Sequence, residues 1–293
     1  MEQSQTTSQA SGSATTAFMP GRRRFIPFAL LIVLTAGALV TAVLSSSSPA
    51  SASTAVRAAL TSTMTATSVS FTFNEDVTGT QSAELSVSGS CATGPECHVT
   101  LSGAGEGSTL GTTQLVVTNG VAYVEPSGSL ASDIPTPWIS VPVNSSSAQE
   151  AGVPTGTDGL SLILDQLVNV GDTVTDNGEV TLNGATVHEY TVTASASVEQ
   201  QQFSTLLNAL PSSVTSSLGS VSLSGYGVNI YVDPDGNIGE LALKASLSTA
   251  KNTETLSTTL TLSGYGDPVN VIAPPANEVT PLSSVIKSPF ASL

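Results

Sequence analysis

Ser68-Val69-Ser70-Phe71-Thr72-Phe73 alternates hydroxyl and apolar side chains at every step. Successive side chains of a strand point to opposite faces, so this stretch predicts a strand with one buried and one wetted face. The same period of two returns at Leu85 and Val87, and again at Val99 and Leu101. Residues 115–118 run into Asn119-Gly120, a pair that tolerates the positive φ of a tight hairpin, and Val121 to Glu125 is the return strand. Asn177-Gly178 and Asn183-Gly184 bracket a short strand. Val187 to Ala194 is another, with His188, Tyr190 and Val192 on one face. Four strands follow. Val228, Ile230 and Val232 lead into Asp233-Pro234-Asp235-Gly236, where proline presets φ and glycine accepts a positive value. Residues 238–247 come next, then Leu256, Leu260 and Leu262 alternating with threonines, then Val269 and Val271. Turn signals at such regular spacing predict a meander of antiparallel neighbours.

Three stretches change period. Residues 54–66 place Val56, Leu60 and Met64 at helical spacing, with Ser53 or Thr54 able to cap the start. Residues 160–168 carry Leu160, Ile163, Leu164 and Leu167, and residues 197–210 carry Phe203, Leu206, Leu207 and Leu210 before Pro211. Helices this apolar must lie on something, and the concave face of a bent sheet is the natural partner. The expected fold is therefore α+β and mostly β: a single curved antiparallel sheet, a half-barrel, packed on about three helices. Residues 126–159 are rich in Ser, Pro and Gly around Trp138, the one tryptophan, which fits either a pocket wall or a core plug. The pentapeptide 223–227 recurs at 262–266, too short for a repeat architecture, and reads as strands bending at glycine. The tail after Ala276 shows no clear element.

The N-terminal part has its own logic. Residues 1–20 are rich in Ser, Thr and Gln without apolar pattern, a composition of disorder. Gly21-Arg22-Arg23-Arg24 then precedes the apolar run 25–44, and Ala50-Ser51-Ala52 follows it. A positive n-region, an apolar h-region and an Ala-x-Ala site compose a secretory signal cut after Ala52. The arginines also match a twin-arginine signal. The same run is long enough to span a bilayer as an uncleaved anchor with its arginines inside. Either way the remaining chain is exported, to the cell envelope or beyond. The organisation expected is a disordered cytoplasmic region 1–20, a signal or anchor 21–52, one β domain 53–276, and a tail 277–293.

Cys91 and Cys97 flank a turn between two strands, and in an exported chain such a pair is most simply a disulfide that pins hairpin register. A redox pair would want Cys-x-x-Cys. A metal site with His98 would need more soft ligands than the second histidine, His188, supplies.

Charge excludes several functions. The net charge is −15. Three of the seven basic residues and one of the 22 acidic residues (Glu2) fall within residues 1–24, leaving four basic against 21 acidic. Such a domain repels phosphate backbones and anionic headgroups, so neither nucleic acid nor a basic-patch membrane contact is expected. Dispersed acids keep a β-rich chain from self-association, and a monomer is expected.

Motifs for chemistry are absent. There is no Gly-x-Ser-x-Gly elbow, no zinc spacing and no phosphate loop at Gly103-Ala104-Gly105-Glu106-Gly107. Residues 233–237 lack the closing ligands of a calcium loop. Glu75-Asp76 sits at a strand end, where solvated acids are ordinary. No enzyme, cofactor or metal is expected.

Four stretches carry a resemblance: residues 121–124 (Val-Ala-Tyr-Val), Asn183-Gly184 with residues 187–190 (Val-His-Glu-Tyr), residues 230–233 (Ile-Tyr-Val-Asp) through Gly236, and residues 263–269 (Ser-Gly-Tyr-Gly-Asp-Pro-Val) through Pro274-Pro275-Ala276. With the order of elements over residues 54–276, the chain resembles the actinobacterial LppX/LprG lipoprotein family, similar in fold to the carriers LolA and LolB. That resemblance implies a half-barrel on helices, a lipid pocket between them and a non-enzymatic carrier role. The wall residues it suggests are Phe71, Phe73, Leu85, Val87, Val99 and Leu101 from the early strands, Trp138 from the middle, and Leu164, Leu167, Phe203 and Leu207 from the helices. The family carries a cysteine directly after the signal for acylation, and residues 45–53 have none. The alternative is a structural or interaction module of the envelope, with the same fold and a filled core.

Overall fold

The computed structural model describes residues 50–79, 82–92, 96–105, 108–127, 131, 134–143, 173–193, 221–249 and 252–285. The expected signal or anchor, the disordered region and the two helices at 160–168 and 197–210 lie outside the described residues. Twelve strands form one curved, unclosed sheet. The first six are β1 (Ser68–Thr78), β2 (Ala83–Ala92), β3 (Glu96–Gly105), β4 (Ser108–Thr118), β5 (Val121–Glu125) and β6 (Trp138–Pro142). The second group is β7 (Thr173–Leu182), β8 (Ala185–Thr193), β9 (Val221–Val232), β10 (Ile238–Thr249) and β11 (Thr253–Ser263), and β12 (Val279–Pro281) comes last. Helix α1 (Ala50–Thr65) precedes the sheet and the single turn α2 (Leu282–Val285) follows it.

The spatial order is β12-β6-β5-β4-β3-β2-β1-β11-β10-β9-β8-β7. It consists of two meanders, β1–β6 and β7–β11, joined where β1 pairs antiparallel with β11. Hairpins hold each meander together by local chemistry. Asn119 and Gly120 adopt φ of 52° and 74°, and Asn183 and Gly184 adopt 52° and 85°, the positive values that a two-residue hairpin loop demands. Asn177-Gly178 behaves differently from its expected turn. The strand continues through it as a bulge, with Gly178 at φ 82° and its N–H donating to Asp176 Oδ1 at 2.9 Å.

Helix α1 lies on one face of the sheet, called inner below, against β7, β9 and β10. Its buried stripe is Ala52, Val56, Ala59, Leu60 and Thr63, spaced at three and four residues. The helix spans Ala50–Thr65, so Ser53 and Thr54 lie inside it and not at its N-cap. Met64, expected on the stripe, is 37% exposed because it sits one position past Thr63 around the cylinder. Polar bonds fix the far end. Thr63 Oγ1 accepts the Ile238 N–H at 3.0 Å, Ser62 donates to Asn237 Oδ1 at 2.7 Å, and Tyr265 donates its hydroxyl to the Ile238 carbonyl at 2.5 Å.

The C-terminal part departs from expectation. Val269 and Val271 form no strand, and the tail holds both β12 and α2. After β11 the chain must pass the six strands β1–β6 to reach its place beyond β6, roughly 34 Å at the usual strand spacing. Residues 264–278 cross it as an irregular strap over the outer face, where Asn270 to Pro275 lie beside Val116 and Trp138. Arriving by this route, β12 pairs parallel with β6, so the sheet is mixed and not wholly antiparallel.

Candidate functional site

In β1, inward positions are Val69, Phe71, Phe73, Glu75 and Val77, and cross-strand register carries the inner face outward from them. Phe73 stands opposite Val87, Val87 opposite Leu101, and Leu101 opposite Thr113. Phe71 stands opposite Gly89, Gly89 opposite Val99, Val99 opposite Leu115, Leu115 opposite Val124, and Val124 opposite Ile139. The early-strand residues suggested by sequence therefore share one face. Phe71, Phe73, Val87, Val99 and Leu101 are half-buried on it, and Leu85 is buried.

Sequence reasoning missed the continuation of this surface through Leu115, Val124 and Ile139, all half-buried. The alternation in 115–125 was the available signal. Three glycines also face inward: Gly89, then Gly103 opposite both Leu85 and Gly111. Without side chains they deepen the surface. A Cβ on Gly89 would meet the His98 carbonyl oxygen at 2.4 Å and the Phe71 ring at 3.1 Å, so the ring lies over this glycine because nothing larger fits. The result is an apolar, glycine-floored face across β1–β6.

The disulfide sits at one margin of that face. Cys91 and Cys97 are directly opposite in the β2–β3 register, bonded, with Cα atoms 4.1 Å apart. Both are buried among Val117, Ala122 and Val143. The bond locks the one-residue register on which the whole apolar row depends.

Glu75 overturns its expected place. Strand β1 runs on to Thr78, so Glu75 lies inside it at an inward position, fully buried, while its neighbour Asp76 is solvated. Around Glu75 stand Phe73 and Val77 along the strand, Leu85 on one side and Thr258 on the other. Glu75 takes part in a polar interaction, as a buried carboxylate must.

Trp138 stands on the opposite face. Ile139 and Val141 point inward with Val124 and Ala122, so Trp138 points outward, away from the other suggested wall residues. Leu164, Leu167, Phe203 and Leu207 lie outside the described residues. Two clefts open on the outer face, of about 390 and about 350 Å³, and both are lined in part by His98.

One titratable pair is exposed on the β7–β8 hairpin. His188 Nε2 lies 2.6 Å from Asp176 Oδ1, and the imidazole stacks on Tyr190 at 4.7 Å. The hydrogen bond to His188, then that from the Gly178 N–H, holds the Asp176 carboxyl below its usual range. No group of three or more His, Cys, Asp or Glu among the described residues is placed to hold a metal. No helix among the described residues is long and apolar enough to cross a membrane.

No protein-family model matches the chain, and no curated protein sequence does. Solved structures do. LprF from Mycobacterium bovis aligns over 77% of this chain and 98% of its own, at 15% identity and a TM-score of 0.45. The Mycobacterium tuberculosis lipoprotein LppX aligns over 76% and 98%, at 16% identity and a TM-score of 0.41. The Pseudomonas aeruginosa MucA/MucB complex aligns over 77% of this chain and 64% of that one, at 15% identity and a TM-score of 0.33.

Proposed function

We propose that the chain is an exported, non-enzymatic carrier of a lipid or another apolar ligand, held on the inner face of the first meander. One observation carries this reading. On the inner face of β1–β6 Phe71, Phe73, Val87, Val99, Leu101, Leu115 and Val124 stand in cross-strand rows and are only half-buried, while Val69, Val77, Leu85 and Val117 on the same face are buried, whereas α1 covers the equivalent face of β7, β9 and β10. Apolar area left partly open costs about 25 cal/mol per Å², and a fold keeps such a surface when something else covers it. An acyl chain or a similar body satisfies the surface without asking for hydrogen bonds.

The outer clefts and the Asp176–His188 pair lie elsewhere and bring no catalytic group to this face. The test is native mass spectrometry and organic extraction of the full chain purified from its own host. A bound lipid, lost when Val99 and Leu101 are both changed to Ser, is the expected result. Empty protein that also ignores a fluorescent acyl probe would sink the carrier role and leave an envelope scaffold with a filled core.

A further inference from the structure

The outer face of the first meander carries polar register rows. Its register rows are as continuous as those inside. Ser263, Ser70, Ser90 and His98 stand opposite one another in turn, and so do Thr261, Thr72, Ser88, Thr100 and Gln114. Over these rows lie the two clefts, which share His98 in their lining and are together called the trough below. The trough runs from β11 to Trp138 on β6, six strand spacings or roughly 29 Å. The strap, Asn270 to Pro275, stands along one end as a wall.

The lining has a definite chemistry. One end offers a half-buried indole with His98, Gln114 and Asn270, beside the apolar Val116, Val271 and Ile272. Glu125 accepts the Gln114 amide N–H at 2.7 Å and so orients that side chain. The other end is hydroxyl after hydroxyl. No Asp, Glu, Lys or Arg lines either cleft. Serine and threonine on a solvated strand face follow from composition alone. Composition does not place the single tryptophan of the chain on the wetted face, beside polar side chains and under a proline strap.

From this we infer that the trough binds a neutral oligosaccharide. The negative face of an indole attracts the slightly positive C–H groups of a sugar ring. Ring hydroxyls exchange hydrogen bonds with Gln114, Asn270 and the serine and threonine rows as they would with water. An anionic glycan is repelled by a chain of net charge −15. The inference is independent of the lipid face, which lies on the other side of the sheet.

Trp138 is also the reporter, since the full chain has no other tryptophan. Its emission is titrated with maltohexaose, cellohexaose, a galactan hexasaccharide and, as anionic control, a galacturonate hexasaccharide. A saturable change with a neutral hexasaccharide, absent with the galacturonate, is expected. His98→Ala and Gln114→Ala keep the fluorophore and should each weaken binding roughly three- to tenfold, the worth of one hydrogen bond, with unchanged circular dichroism. The inference fails if no neutral glycan alters the emission. It also fails if both variants bind as the parent does, if the galacturonate binds equally well, or if only a proline-rich peptide or a lipid probe moves the signal.

Discussion

The two meanders are built from the same alternation but end in different states. In the second, Val174, Val228, Ile230 and Leu256 are at most 1% exposed beneath the stripe of α1. In the first, Phe71, Phe73, Val87, Val99 and Leu101 hold the same inward positions and stay half-buried, although Val69, Val77 and Leu85 beside them are buried. The outer faces differ as well, for only the first is crossed by the strap. A buried row is therefore not a property of a strand pattern. It depends on what is laid over it.

The sharpest way to break this contrast is to truncate the lid. Leu60 is fully buried between α1 and the sheet, so Leu60→Ala removes apolar contact and leaves a cavity. A loss of about 3 kcal/mol is expected in denaturant unfolding, and a change under 1 kcal/mol would show that α1 is not what closes the second meander. Next comes the disulfide. Replacing Cys91 and Cys97 together by Ala should cost about 2 kcal/mol, the worth of closing so short a loop. If lipid retention falls further than stability does, the bond's role in register is supported.

Leu101→Ala should cost only about 1 kcal/mol, because a half-buried side chain on an open face leaves little cavity. Its larger effect is expected on bound lipid, measured by extraction, and a stability loss as large as that of Leu60→Ala would mean that the face is solid core. Tyr265 tests the seam between α1 and β10. Burial pushes its phenol up to about 12, above an ordinary value of 10. The folded state thus favours the neutral phenol, and that contribution is whole below pH 10 and lost as pH rises from 10 to 12. Absorbance at the tyrosinate band should show a phenol titrating near pH 12 that is absent in Tyr265→Phe. Tyr265→Phe should flatten the stability loss in that window and remove the bond to the Ile238 carbonyl, at about 1 kcal/mol. The smallest effect is expected from Met64→Ala, within about 0.5 kcal/mol by thermal melting, since Met64 lies off the buried stripe.

Much of the fold was legible because its cause is local. Alternation gave the strands of both meanders except β6, which lies in the Ser, Pro and Gly-rich stretch 126–159, Asn-Gly gave two hairpin turns, and the Val56–Leu60 spacing gave α1. Local reasoning failed where a neighbour decides. Asn177-Gly178 carries a turn signal, yet pairing with β8 draws it into a bulge. Glu75 follows a short apolar alternation and reads as a strand end, but pairing with Thr258 of β11 carries the strand past it and turns a solvated acid into a buried one. The candidate face was legible as far as Leu101, and its glycine floor was not, because a glycine shows no face until register assigns one.

Sequence by itself determined which residues alternate, where the chain turns, that two cysteines can meet, and that the domain is too acidic for polyanions. These depend on a residue and its near neighbours along the chain. Tertiary structure alone decided that β1 joins β11, that the strap crosses outside, that Trp138 faces away from the apolar rows, and that one meander is sealed while the other stays half open. Those outcomes rest on pairings between segments far apart in sequence, whose energy appears only once the whole sheet is assembled.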